Sequence, residues 1–199
     1  MLLTHSLSGP IGFKLAELLP EKISHLISIE PGLIGNVQET STPISENDGE
    51  VKINFKGFDF NLMIRVMSEP SKQMIDRLTV DCTRRFSSDK KSVDQYIASL
   101  QAVHPRLMYE RFNIKGCQLN IKSYERLKNI KFLIVTGTED PVHKDEDYKI
   151  VKYFDDHNIK IEHLLLGQKG ITGNVHMMMI EDNNEEIAGL ICNWLIKNK

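Results

Sequence analysis

The sequence predicts an α/β fold in which a parallel sheet carries helices on both faces, in three layers. Three observations lead there. Strand and helix signals alternate at both ends of the chain, the order that builds parallel sheets. The segments "HLISI" and "IKFLIVTG" are apolar and rich in β-branched residues, as strands buried on both faces are. The alternating segments are joined by helical patterns long enough for crossovers, for which right-handed connections are the default.

The elements follow in order. Residues 2–4 are the end of a buried strand, and "HSLSG" after them is a sharp turn. Phe13, Leu15, Ala16, Leu18 and Leu19 then give an apolar helical face that stops at Pro20. Residues 23–29 form the second strand, closed by Pro31 and Gly32. Residues 36–50 are polar without periodicity and are expected to be a loop. From residue 58 to about 127 the texture turns helical, with three-to-four spacing in "NLMIRVM", "SKQMIDRL" and "SVDQYIASL".

The alternation resumes with a strand at residues 131–136, the helix "DEDYKIVKYFDDHN" and a strand at 161–166. A glycine-containing loop, "GQKGITGNVH", leads to a final helix striped by Ile187, Leu190, Ile191, Trp194 and Leu195, with Asp182 to Asn184 as capping candidates. The four strands are expected to pair in parallel and in sequence order. Residues 1–35 and 128–199 are then the sheet core, and 36–127 a loop and helical cap inserted into it.

Composition bounds the function. Among 199 residues, 41% are hydrophobic and 26% charged, the balance of a globular domain with a sizeable core. A net charge of -2 gives no reason to expect nucleic acid or an anionic lipid surface as partner. No apolar run approaches a membrane span. Cys82, Cys117 and Cys192 are odd in number and far apart, which argues against a disulfide framework and a zinc knuckle. Reduced thiols and a cytoplasmic location are expected. No phosphate- or dinucleotide-binding glycine motif occurs, and no cofactor is expected.

The serine turn carries the chemistry. Strand, tight turn and helix is the setting in which a serine is held in a strained backbone, with its oxygen clear of the sheet. The residues two before and two after must be small. With Ser6 as nucleophile these are Thr4 and Ser8; with Ser8 they are Ser6 and Pro10, a poorer fit. The Leu7 N–H, at the start of the helix, would face a developing oxyanion. A serine needs a histidine base, itself oriented by a carboxylate. His176, in the loop between the last strand and the last helix, is the best of seven histidines. His5 adjoins the serine, but its side chain is expected to leave the strand on the wrong side. Two acids follow predicted strands, Glu30 and Asp140, and the residues alone leave both open. "HKDED" reads as a solvated acidic helix start rather than a metal cluster. "HMMM" reads as pocket wall or core.

"LLTHSLSGPIGFKLAELLPEKISHLISIEPG" and "GITGNVHMMMIEDNNEEIAGLICNWL" resemble two signature regions of a group of α/β-hydrolase esterases. In that group the serine lies in a "THSQ(G/S)G" turn, the next strand ends in "IEP", and the histidine sits in "GNxHMMM". The resemblance implies a Ser6–Glu30–His176 triad, with Glu30 ahead of Asp140, acting on a small-molecule ester through an acyl-enzyme. Leu7 replaces the usual Gln, and Ser8 a frequent Gly, positions that bear on the substrate pocket. In the group, strands and an oxyanion loop precede the serine turn. The chain is therefore expected to be the C-terminal part of such a domain, with an open sheet edge beside Thr4, self-association through that edge, and little activity by itself. Alternative readings are a non-catalytic remnant or binding module, and a transferase on the same fold.

Overall fold

The computed structural model describes residues 1–55, 58–63, 90–140 and 142–199. The first third of the chain contains β1 (Leu2–His5), α1 (Ser8–Leu18), β2 (His25–Ile29) and a short β3 (Ser45–Glu46). Then come β4 (Glu50–Phe55), β5 (Phe58–Met63), α2 (Lys90–Ser99) and α3 (Pro105–Arg111). The last third supplies β6 (Lys131–Thr136), α4 (His143–Asp156), β7 (Ile161–Leu165) and α5 (Asn184–Lys197).

The four expected strands form one parallel sheet in the order β1-β2-β6-β7. Leu2 lies opposite Leu26, Ile27 opposite Leu133, and Ile134 opposite His163. Successive side chains of β2 and β6 point to opposite faces, and both faces are covered. Leu26, Phe132 and Ile134 pack with Phe13 and Ala16 of α1 and with Ile150 and Phe154 of α4. Ile27, Ile29, Leu133 and Val135 pack on the other face against Ile187, Ile191 and Trp194 of α5. Burying each such side chain is worth about 1.5–3 kcal/mol, so the two central strands fix the three-layer arrangement. Phe13 stacks on Phe154 with ring centroids 5.1 Å apart, locking α1 to α4 on one face of the sheet.

The apolar face expected for α1 is displaced. Phe13 and Ala16 are buried, but Leu15 and Leu18 are 36% and 54% exposed. The helix instead meets the sheet through small residues. A side chain at Gly12 would bring its Cβ within 2.7 Å of Thr4 Cγ2, and one at Gly9 within 2.4 Å of Pro31 Cβ. The contact depends on atoms that are absent, which a hydrophobic pattern does not register.

The middle of the chain departs further from the expected helical layer. β3, β4 and β5 make a separate antiparallel sheet, and "NLM" of "NLMIRVM" is the end of β5. The physical reason lies in "VKINF". Val51 and Ile53 are buried while Lys52 and Asn54 face outward, a period of two that outweighs the three-to-four spacing downstream. Val51, Ile53 and Leu62 close a small core with Phe112 and Ile114. "SVDQYIASL" does lie in a helix, α2, whereas "SKQMIDRL" lies outside the described residues. This middle region is clasped to the sheet core by polar contacts. Glu17 accepts the amides of Lys122 and Ser123 at 2.8 and 2.7 Å. Asn36 both donates to Ile121 O and accepts from Ile121 N, at 2.9 and 2.7 Å. Among the described residues no helix is long and apolar enough to cross a membrane.

Candidate active site

β1 ends and the chain reverses into α1 through Ser6, whose φ of 52° is left-handed backbone on a residue with a side chain. The main chain holds it there. Ser6 N donates to Ile29 O at 3.1 Å, and Ser6 O accepts from Gly9 N and Gly32 N at 2.9 and 2.8 Å. Such a conformation costs on the order of 1–3 kcal/mol and persists because its surroundings impose it. The neighbouring serine has another job. Ser8 Oγ donates to His5 O at 2.7 Å and accepts from His5 N at 2.9 Å, which ties the turn to itself. Leu7 occupies the N-cap position of α1, at the positive end of the helix dipole.

Ser6, Glu30 and His176 come together. His176 Nε2 is 2.8 Å from Ser6 Oγ, and its Nδ1 is 3.0 Å from Glu30 Oε2. Carboxyl oxygens lie on the Nδ1 side, so that nitrogen takes the ring proton and Nε2 presents its lone pair to the serine hydroxyl. Glu30 stands at φ 41°, a second strained position, directly after β2. It is fully buried, and its Oε1 accepts the Gly137 amide at 2.8 Å. Asp140, after β6, also reaches the ring, with Oδ2 3.6 Å from Nδ1. Burial pushes the His176 imidazolium down to about 3, with His143 and His5 adding to the effect, so the ring is a neutral base near pH 7.

No protein-family model matches the chain. A probable secreted lipase, phiG, from Fungal sp. (strain ATCC 74256), is 24% identical over 197 residues, which is 98% of this chain and 45% of that protein. Among solved structures, an Arabidopsis methylesterase superposes with a TM-score of 0.59 at 10% identity, over 98% of this chain and 68% of its own. A carboxylesterase of the thaumarchaeon Nitrososphaera gargenis gives 0.58 at 14% identity, covering 98% of this chain and 64% of that one. Tomato methylketone synthase I gives 0.58 at 15% identity, over 100% and 71%. The fold is α/β-hydrolase-like. The chain spans less than half the length of the curated lipase it matches. That lipase is described as secreted, and the match overturns the cytoplasmic location expected above. Cys117 and Cys192 are free thiols, the reduced state expected, but a free thiol does not fix the compartment.

Around the α/β-hydrolase-like elbow the structure adds groups the sequence did not point to. His5 does not turn away, as expected, but reaches over the histidine loop. Its Nε2 is 2.9 Å from His176 O, and the two rings are 4.7 Å apart. Burial lowers the His5 imidazolium, so it is a neutral prop for the loop. The "HKDED" helix start is solvated only at Lys144 and Asp145: His143, Glu146 and Asp147 are 4%, 2% and 0% exposed. The His143 ring stacks on His176 at 4.6 Å, and its Nδ1 is 3.3 Å from Asp147 Oδ1. Burial drives Asp147 up to about 6 against the hydrogen bonds from His143 and Thr136. Arg111, the last residue of α3, lies beside Gly32, with Nη2 3.8 Å from Glu146 Oε2, and burial lowers its guanidinium.

Asp140, His143 and His176 have ligand atoms within 4.8 Å of one another, the spacing of a metal group. Ring orientation argues against that use. The two imidazole planes are only 20° apart and stacked at 4.6 Å, so the ring lone pairs lie in separate, nearly parallel planes and do not converge on one ion.

The loop that carries His176 is organised by a residue absent from the expected site. Glu181 is 2% exposed, accepts Val175 N at 3.0 Å through Oε1, and takes the Asn174 side-chain amide through Oε2. Asn174 also donates to Asn183 Oδ1 at 2.7 Å, and its carbonyl accepts from Glu139 N at 3.2 Å. Asn183 precedes α5 yet makes no side-chain cap there. Its amide is spent on Asn174, with Asn183 Nδ2 3.0 Å from Asn174 Oδ1. Met177 and Met178 are buried, and Tyr96 of α2 donates to Met177 Sδ at 3.9 Å, which brings the middle region beside the histidine.

Proposed function

We propose that the protein is a serine hydrolase of carboxylic esters, with Ser6 as nucleophile, His176 as base and then acid, and Glu30 as the residue that orients the imidazole. The carrying observation is the unbroken path from Ser6 Oγ to His176 Nε2 at 2.8 Å and from Nδ1 to Glu30 at 3.0 Å. It starts at a serine held in left-handed backbone after a parallel strand.

Ser6 Oγ attacks the ester carbonyl while its proton passes to His176 Nε2. The carbonyl oxygen becomes an oxyanion facing the Leu7 N–H at the start of α1. The intermediate collapses, the alcohol leaves with the proton from His176, and an acyl group stays on Ser6. Water then attacks the acyl carbon, giving its proton to His176. The acid departs, and Ser6 recovers its hydrogen. The neutral, buried imidazole suits both proton transfers. In this reading the described part of residues 36–127 serves as a cap, from which Tyr96 reaches Met177 beside the histidine and Arg111 lies against Gly32. The lipase named above supports an ester-bearing small molecule as substrate and a secretory setting for the protein. β1 is one of the two outer strands of its sheet and Leu3 is 50% exposed, so self-association along this strand belongs to the same proposal.

The test is hydrolysis of short-chain aryl esters by the parent and by Ser6→Ala. Turnover that disappears in Ser6→Ala is expected. Turnover equal in the two proteins would remove Ser6 from the reaction.

A further inference from the structure

Two carboxylates, rather than one, face the Nδ1 of His176: Glu30 Oε2 at 3.0 Å and Asp140 Oδ2 at 3.6 Å. They are mounted alike. Glu30 has its other oxygen fixed by the Gly137 amide at 2.8 Å. Asp140 has its other oxygen fixed by the amides of Val142 and His143, at 2.7 and 2.8 Å. In each case the main chain holds one oxygen and the second is left for the imidazole. The two arrive from adjacent strands, since β2 and β6 pair with Ile29 opposite Val135. Both are buried, at 0% and 5% exposure. Capping the start of α4 accounts for Asp140 Oδ1. It does not account for Oδ2 lying against the ring.

We propose that Glu30 and Asp140 work as a pair on His176, either one able to hold its Nδ1–H tautomer and balance the imidazolium that forms when Ser6 gives up its proton. Glu30 is the partner in contact and Asp140 the partner in reserve. Both are positioning residues, acting through the histidine. The catalytic consequence rests on the serine-hydrolase reading; the pairing rests on the geometry alone.

Two carboxyls this close beside a neutral ring resist double ionisation, so the pair keeps one proton. Burial, and after it the Asp140 charge, raises Glu30 well above the usual carboxylate range. Burial also pushes Asp140 up, but His143 and the two amides outweigh it and hold that carboxyl low. The resting pair therefore carries one negative charge, and the imidazolium meets that charge whichever carboxyl bears it. Among the described residues, other titratable groups around the ring include His5 and His143 on its faces, Arg111 from the middle region, and Asp147 behind His143.

The experiment compares Glu30→Gln, Asp140→Asn and the double variant. Asp140→Asn keeps the oxygen that the Val142 and His143 amides use, so the helix start is preserved. For ester hydrolysis, Glu30→Gln is expected to lose less than about a hundredfold in kcat/KM, Asp140→Asn less than about tenfold, and the double variant about ten-thousandfold. The acid limb of kcat/KM in Asp140→Asn moves to lower pH, because the lost charge had favoured the imidazolium. Independently of activity, the low-field proton NMR signal of His176 Nδ1–H stays in each single variant and vanishes in the double. A Glu30→Gln loss as large as that of the double, or loss of the signal in Glu30→Gln alone, would overturn the pair. If hydrolysis proves insensitive to Ser6→Ala, the hydrolase reading fails and the NMR result still decides the pair.

Discussion

The serine turn and the histidine loop meet at one hydrogen bond, yet they are built on different physics. The turn is fixed by main-chain bonds from Ile29, Gly9 and Gly32 to Ser6, and by glycines packed against Pro31 and Thr4. No charged side chain takes part in those contacts. The loop that carries His176 is fixed by polar side chains, the buried Glu181 and Asn174 and the half-buried Asn183, with His5 closing over its carbonyl. One region should therefore respond to volume and the other to charge. That difference separates the ways in which the site can fail.

The largest expected effect is at the loop. Glu181→Ala leaves the Val175 amide without its acceptor, at about 1–3 kcal/mol, and takes from the Asn174 side-chain amide one of its two acceptors. The melting temperature should fall and ester turnover should drop with little change in KM. Glu181→Gln, which keeps one acceptor, should fall between the parent and Glu181→Ala in both measurements. Next is the turn. Gly9→Ala places a methyl against the Pro31 ring, and overpacking of this kind costs about 1–3 kcal/mol, more than the helix propensity that Ala returns. Its thermal shift should be the same at pH 5 and pH 8, because no titrating group touches the contact.

A third prediction concerns pH. The folded-state value of His176 lies near 3, below the ordinary 6.5. Between those values the unfolded chain binds the proton that the folded one refuses. The contribution of His176 to stability is thus complete above pH 6.5 and is lost as pH falls toward 3. Glu30, raised by burial, has the opposite sign: its contribution is complete at low pH and is lost as pH rises through its elevated value. Denaturant unfolding from pH 7 to 4 should lose less stability in His176→Asn than in the parent.

Smaller effects lie away from the site. Leu3→Lys on the outer strand should shift sedimentation toward monomer without altering the fold. Gly189→Ala, in α5 with open space where the methyl would go, should gain about 0.4–1 kcal/mol. It is the counterpart that isolates the steric cause at Gly9.

Much of the sheet was legible because β2 and β6 are buried on both faces. Such strands write their environment into uninterrupted apolar sequence. The two acids that follow these strands, Glu30 and Asp140, were legible for the same reason, although only the resemblance ranked Glu30 first. The hairpin of β4 and β5 was obscured because its alternation is short and adjoins segments with helical spacing. Glu181, His143 and His5 were hidden more deeply. Glu181 and His143 sit in polar sequence that reads as surface yet are buried, and His5 is placed by a bond to the His176 carbonyl, 171 residues away. The sequence pattern also held Ser8 open as a nucleophile. The hydrogen bonds that occupy its hydroxyl depend on the turn having formed.

The central claim, that Ser6 is the activated nucleophile, is tested most directly by reaction with a fluorophosphonate followed by mass mapping of the adduct. Attack by Ser6 Oγ forms the O–P bond as the P–F bond breaks, with the serine proton taken by His176. The account predicts an adduct on Ser6 in the parent, its persistence on Ser6 in Ser8→Ala, and its absence in Ser6→Ala and in His176→Asn. An adduct on Ser8, or labelling that survives Ser6→Ala, would contradict it.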